Sequence, residues 1–164
     1  MILHHELYLK NNQPSEIGED VKYEDTLVIL HGLFGSSSNW RGLSKSLSKS
    51  FNVITIDLRN HGQSAHSNEW DYESMASDVI ETVRYLNLNR CYLLGHSMGG
   101  KVAMHLASKI QDQELKSTFE ILKLIILDIA PKKYERHHDV ILEGLNKVDC
   151  NTINSRVEAE QMLM

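Results

Sequence analysis

Cysteine is scarce in this sequence. Its two cysteines, Cys91 and Cys150, lack the spacing of a zinc site or of a disulfide framework. Cys91 opens a buried-strand pattern and Cys150 lies among polar residues, so both are expected as free thiols in a reducing compartment. Runs of basic residues are also missing. The 17 lysines and arginines are interspersed with 22 acidic residues, for a net charge of −5, which argues against nucleic acid or an anionic membrane as partner. No apolar stretch approaches the roughly 20 residues of a membrane span. Met1-Ile2-Leu3-His4-His5-Glu6 is not a basic region followed by an apolar block, so no leader is expected and the protein reads as cytoplasmic. At 164 residues the chain is one domain or part of one, able to bury about two-thirds of its unfolded surface.

What is present is organised around Leu94-Gly95-His96-Ser97-Met98-Gly99-Gly100. It follows the apolar run Cys91-Tyr92-Leu93-Leu94 and precedes the helix-like Lys101-Val102-Ala103-Met104-His105-Leu106-Ala107, so it reads as strand, sharp turn, helix. Gly-x-Ser-x-Gly in that setting is a nucleophile elbow, in which a strained turn lifts the serine hydroxyl clear of the sheet edge. Gly95 and Gly99 avoid collision where strand and helix close on each other. The helix start puts unpaired N–H groups beside Ser97, and Met98 would direct one of them at a developing oxyanion.

The rest of the chain alternates strands and helices. Leu3 to Lys10 alternates as a half-exposed edge strand. Asn11 to Asp25 is a polar loop, with a possible short strand near Val21 to Tyr23. Thr26-Leu27-Val28-Ile29-Leu30 is a strand covered on both faces, and it runs into the glycine-rich His31-Gly32-Leu33-Phe34-Gly35-Ser36. Such a loop marks the carboxyl edge of a sheet, where ligands bind. There Gly32 would let the Leu33 N–H share an oxyanion with Met98, with Phe34 lining an acyl pocket. The alternative for His31 is a hydrogen-bonded loop histidine. Asn39 to Ser50 reads as a helix with Trp40, Leu43 and Leu47 on one face. Phe51 to Asp57 is a strand. In the following Leu58-Arg59-Asn60-His61-Gly62-Gln63-Ser64, Asp57 and Arg59 are expected to pin the loop, and His61 is read as structural rather than as a base. Asp71 caps a helix whose apolar face is Met75, Val79, Val83 and Leu86. Arg90 to Leu94 is the strand entering the elbow. Ile121 to Leu127 is a further strand, and Asp128 stands at its carboxyl end. On position alone, Asp128 either orients a catalytic histidine or braces the turn before Pro131.

Taken together, His31-Gly32-Leu33-Phe34-Gly35-Ser36, Asp57 to Ser64, Gly95 to Lys101 and Asp128-Ile129-Ala130-Pro131 resemble the α/β-hydrolase superfamily, and within it the YbfF-like esterase/thioesterase branch. The resemblance runs from about Thr26 to the end of the chain. It implies a mostly parallel α/β sheet flanked by helices and hydrolysis of acyl esters or acyl thioesters without a cofactor or metal. It also implies Ser97 as nucleophile, Asp128 as triad acid, Leu33 and Met98 as oxyanion donors, and Phe34 and His96 in substrate binding. Residues 1–131 would form the N-terminal part of the core. Residues 132–164, read as helices His138 to Lys147 and Asn154 to Met164, would begin a helical cap.

One expected part has no counterpart. The base histidine of this fold follows the last strand of the sheet, whereas here only His137 and His138 follow Asp128, at positions that match the start of the cap. The expectation is therefore an N-terminal portion lacking the last strands and the base, with impaired hydrolysis. A second chain or copy could complete the sheet. Two other readings stay open: a catalytically silent binding or assembly module, and another reaction of the superfamily such as carbon–carbon bond hydrolysis.

Overall fold

The structure, a computed structural model, describes residues 1–10, 26–110, 119–134, 139–146, 152–153 and 155–163. The expected strand near Val21 to Tyr23, the Cys150 thiol, and His137 and His138 lie outside the described residues. Two compact units are formed, Met1–Pro131 and Lys132–Met164.

Among the described residues the first unit is built on five strands: β1 (His5–Tyr8), β2 (Thr26–Leu30), β3 (Asn52–Ile56), β4 (Arg90–His96) and β5 (Glu120–Leu127). Their order across the sheet is β1-β3-β2-β4-β5. Only β1 runs antiparallel, pairing with β3 from His5↔Ile56 to Tyr8↔Val53. The connections are α1 (Arg41–Leu47), α2 (Tyr72–Tyr85) and α3 (Met98–Lys109). The second unit contains α4 (Asp139–Asn146) and α5 (Arg156–Leu163), in line with the two helices read there.

The strands form where unbroken apolar runs can be covered on both faces. Val28, Leu30, Ile54, Ile56 and Leu93 pack with Met75, Val79, Val83, Val102 and Leu106 of α2 and α3. Leu27, Ile29, Val53 and Leu94 pack on the opposite face with Trp40 and Leu47. Asp71 caps α2 by accepting the Ser74 N–H at 2.7 Å. Cys91 is fully buried, and burial pushes its thiol up to about 12.

One expectation needs correcting. The helix after Ser36 is interrupted: Ser37–Trp40 is a tighter 3-10 turn, and α1 starts only at Arg41. The covered residues are Trp40, Ser44, Leu47 and Ser48, an i, i+4, i+7, i+8 stripe, and Leu43 lies beside that stripe at 46% exposure. The run Ile121 to Leu127 forms a strand as expected, and among the described residues it pairs only with β4. Leu124, Ile125 and Leu127 are each more than a third exposed.

Strand order positions the site. β3 lies on one side of β2 and β4 on the other, so the connections leaving β2 and β4 diverge and open a crevice at the carboxyl ends of these strands.

Candidate active site

β4 and α3 meet at Ser97, which has φ 50° and ψ −115°. An L residue is strained there, and the neighbouring glycines explain how the turn is held. A Cβ on Gly95 would lie 2.3 Å from the Gly99 carbonyl oxygen, and one on Gly99 would lie 2.4 Å from the His31 carbonyl oxygen. Only bare backbone lets α3 start this close to β4 and β2. The Ser97 N–H donates to the Leu127 carbonyl at 2.9 Å, fastening the elbow to the end of β5.

The loop after β2 lies against the elbow. A Cβ on Gly32 would meet His96 Nδ1 at 2.9 Å and the Ser97 Cβ at 3.3 Å. This loop turns through Gly35 N–H donating to the Gly32 carbonyl, at 3.0 Å, which leaves the Leu33 N–H outside the turn's own bond. Met98 is the first residue of α3, so its N–H has no acceptor within the helix. Phe34 follows Leu33 with φ 59° and is 57% exposed.

Asp128 follows β5 directly, and because Leu127 pairs with His96 it stands beside the elbow. Its carboxylate is exposed, and among the described residues it comes to His96, with Nε2–Oδ2 at 3.8 Å, beyond hydrogen-bond length. His96 in turn meets Trp40 edge to face, with ring centroids 6.1 Å apart. The segment after Asp128 is tied to α3 by the Lys101 ammonium, which donates to the Ala130 carbonyl at 2.8 Å. Ile129 occupies the space above Gly100, where a Cβ would come within 2.5 Å of it. Lys101 escaped the sequence reading, although its position one turn after Ser97 was a signal that it faces the same edge.

The loop after β3 carries buried charge of a structural kind. Burial pushes the Asp57 carboxyl up, but its bonds from the Ser37 and Gln63 N–H groups and from His4 Nδ1 outweigh that, and the net effect lies below the usual carboxylate range. Asp57 therefore pins its loop as expected. Arg59 does not act within the loop alone: its Nε donates to Asp78 of α2 at 2.6 Å, and its other nitrogens reach the Glu69 and Ser74 carbonyls. His61 uses both ring nitrogens in loop contacts, Nδ1 donating to the Arg59 carbonyl and Nε2 accepting the Phe34 N–H. His31 is likewise a hydrogen-bonded loop histidine. Among the described residues no cluster of histidine, cysteine, aspartate and glutamate has the makings of a metal site, and no helix is long and apolar enough to cross a membrane.

The geometry thus brings Ser97, Gly32, Leu33, Met98 and Asp128 to one sheet edge. Comparison with known proteins agrees with the fold. Esterase YbfF of Escherichia coli is 33% identical over 156 residues, covering 94% of this chain and 59% of that protein. The sn-1-specific diacylglycerol lipase ABHD11 of Danio rerio is 43% identical over 113 residues, 68% of this chain and 33% of that protein. A solved structure of a marine microorganism esterase superposes with a TM-score of 0.82 at 34% identity, covering 99% of this chain and 57% of that one. The chain spans about half the length of the curated relatives it matches. A family model described as the alpha/beta hydrolase fold matches residues 25–119, and with the sheet order and the elbow geometry this assigns the chain to the α/β hydrolase family.

Proposed function

We propose that the chain carries the nucleophile half of a serine ester hydrolase acting on small acyl esters or acyl thioesters. The observation that carries this reading is the strained Ser97 at a strand-to-helix elbow, with the Gly32-Leu33 loop packed against it. Ser97 Oγ attacks the acyl carbonyl, and the Leu33 and Met98 N–H groups hold the oxyanion. The alcohol or thiol leaves, and water releases the acyl group from Ser97. Phe34 and His96 border the acyl group. Asp128 orients an imidazole that takes the serine proton and stabilises its protonated form. That imidazole comes from outside the described residues, either from further polypeptide or from a second chain, and the 164-residue chain by itself is impaired. The names of the relatives, an esterase and a lipase, support ester chemistry over carbon–carbon bond hydrolysis. Residues 132–164 serve as the beginning of a cap. The reaction needs no cofactor, and its setting is cytoplasmic.

The exposed Leu124, Ile125 and Leu127 support a related point, that another strand covers β5 in the working enzyme.

Intact-mass measurement with a fluorophosphonate probe tests the reading. Slow formation of a single adduct, accelerated by added imidazole and abolished in Ser97→Ala, supports it. A folded chain that takes up no probe with or without imidazole would overturn it.

A further inference from the structure

The loops after β2 and β3 are joined by two histidines in a reciprocal arrangement. His31, from the first loop, accepts the Leu58 N–H of the second on Nε2 at 3.0 Å. His61, from the second loop, accepts the Phe34 N–H of the first on Nε2 at 3.2 Å. In each ring Nδ1 donates to a carbonyl of its own loop, His31 to Gly32 at 2.8 Å and His61 to Arg59 at 3.0 Å. A nitrogen that accepts an N–H must keep its lone pair, so in this arrangement each ring carries its proton on Nδ1. They pack 5.0 Å apart, both buried, and Trp70 stacks on His61 at 5.5 Å.

Leu33 lies between the two points that this clasp grips. The Gly32 carbonyl and the Leu33 N–H belong to one planar trans peptide and point in opposite directions. His31 Nδ1 and the Gly35 N–H both donate to that carbonyl, so its direction is set, and with it the direction of the Leu33 N–H. The next peptide, ending in the Phe34 N–H, is held by His61, and Phe34 is kept at φ 59°, where an aromatic residue is strained. The two peptide planes flanking Leu33 are each pinned by a different histidine.

We propose that His31 and His61 are positioning residues that aim the Leu33 N–H into the oxyanion site; this rests on the hydrolase reading above. Neither ring touches the substrate. Their effect is preorganisation, since a donor already aimed needs no reorientation as charge develops.

The test uses phenylboronic acid on the full 164-residue chain. The serine oxygen bonds to boron, the serine proton passes to solvent, and boron becomes tetrahedral and anionic, which imitates the oxyanion at equilibrium rather than through turnover. Amide NMR follows Leu33 and Met98 separately. In the wild-type chain both amide protons are expected to move downfield. His61→Leu should lose the Leu33 shift, keep the Met98 shift and weaken binding by about tenfold to about 100-fold, the upper figure being the low end of the effect of removing one oxyanion donor. His61→Gln, whose side-chain carbonyl can accept the Phe34 N–H, should restore most of the affinity and the Leu33 shift. If His61→Leu does not fold, His61→Phe keeps the stack on Trp70 while lacking the acceptor. An unchanged Leu33 shift and affinity in the variant without the acceptor would overturn the proposal while leaving the hydrolase reading intact. A folded wild-type chain whose spectrum with boronate matches that of Ser97→Ala would overturn the hydrolase reading and this role with it.

Discussion

The Lys101 ammonium donates to the Ala130 carbonyl at 2.8 Å, joining the first turn of α3 to the segment that begins with Asp128. Ser97 and Asp128 therefore stand on one mechanical unit. Lys101→Met keeps the aliphatic stem and removes the donor. It is expected to lower stability by about 1.5 kcal/mol, the lower end for a hydrogen bond to a charged group because Lys101 is only partly buried. Urea denaturation midpoints check this; an unchanged midpoint would mean that the bond does not hold the segment.

Backbone strain at Ser97 separates two variants that should be equally inactive. Both Ser97→Ala and Ser97→Gly lose the fluorophosphonate adduct, but only glycine relieves φ 50°. Strain of this kind costs about 1–3 kcal/mol, and glycine loses about 0.5–1 kcal/mol through its looser unfolded chain. Ser97→Gly should therefore exceed Ser97→Ala in stability by about 1 kcal/mol. Equal unfolding midpoints would contradict strain at the elbow.

Gly99 is expected to tolerate no side chain. The obstructing atoms are backbone, the His31 and Leu30 carbonyl oxygens within 2.5 Å of a new Cβ. Gly99→Ala should cost about 3 kcal/mol or more, at the severe end of overpacking. Gly42, with nothing within 4 Å of a Cβ, is the control. There alanine should be neutral or slightly stabilising, as is usual for an exposed helix position. Thermal melts of the two variants decide the matter.

Burial pushes the His31 ring below the usual histidine range; the nearby His61 acts in the same direction, while the Gly32 carbonyl and Asp57 oppose it. The unfolded chain therefore binds a proton before the folded one does. Stability contributed by neutral His31 is fully present above about pH 6.5 and is lost as pH falls below it towards the folded value. The slope attributable to this one group is at most about 1.4 kcal/mol per pH unit. Urea midpoints between pH 7.5 and pH 5.5 should fall in the wild-type chain and fall less in His31→Asn. Parallel slopes would assign the loss to other groups.

Much of this was legible along the chain because it depends on neighbours in sequence. The elbow is a local matter: strand, glycine, serine, glycine and helix lie within a few residues, and sterics alone require the two small flanking positions. The apolar run of β2 announced a strand covered on both faces, that of β3 announced a strand, and Asp71 announced its cap. Phase was not local in the same way. Leu43 points outward because α1 covers the stripe of Trp40, Ser44, Leu47 and Ser48, and the apolar spacing of Trp40, Leu43 and Leu47 gave no sign that two serines would be covered instead of Leu43.

What the sequence alone determined, then, is the set of elements, the elbow, and the residue types available for acyl chemistry, since propensity, periodicity and turn sterics act over a few bonds. Only the tertiary structure decided that β2 lies between β3 and β4, that Lys101 grips the Ala130 carbonyl, and that His31 and His61 exchange backbone donors across two loops. The physical reason is that these contacts join segments 26 or more residues apart. A hydrogen-bonding side chain has many potential partners at such distances, and the one it meets is set by how the sheet and helices pack, with no mark of it in the residues on either side.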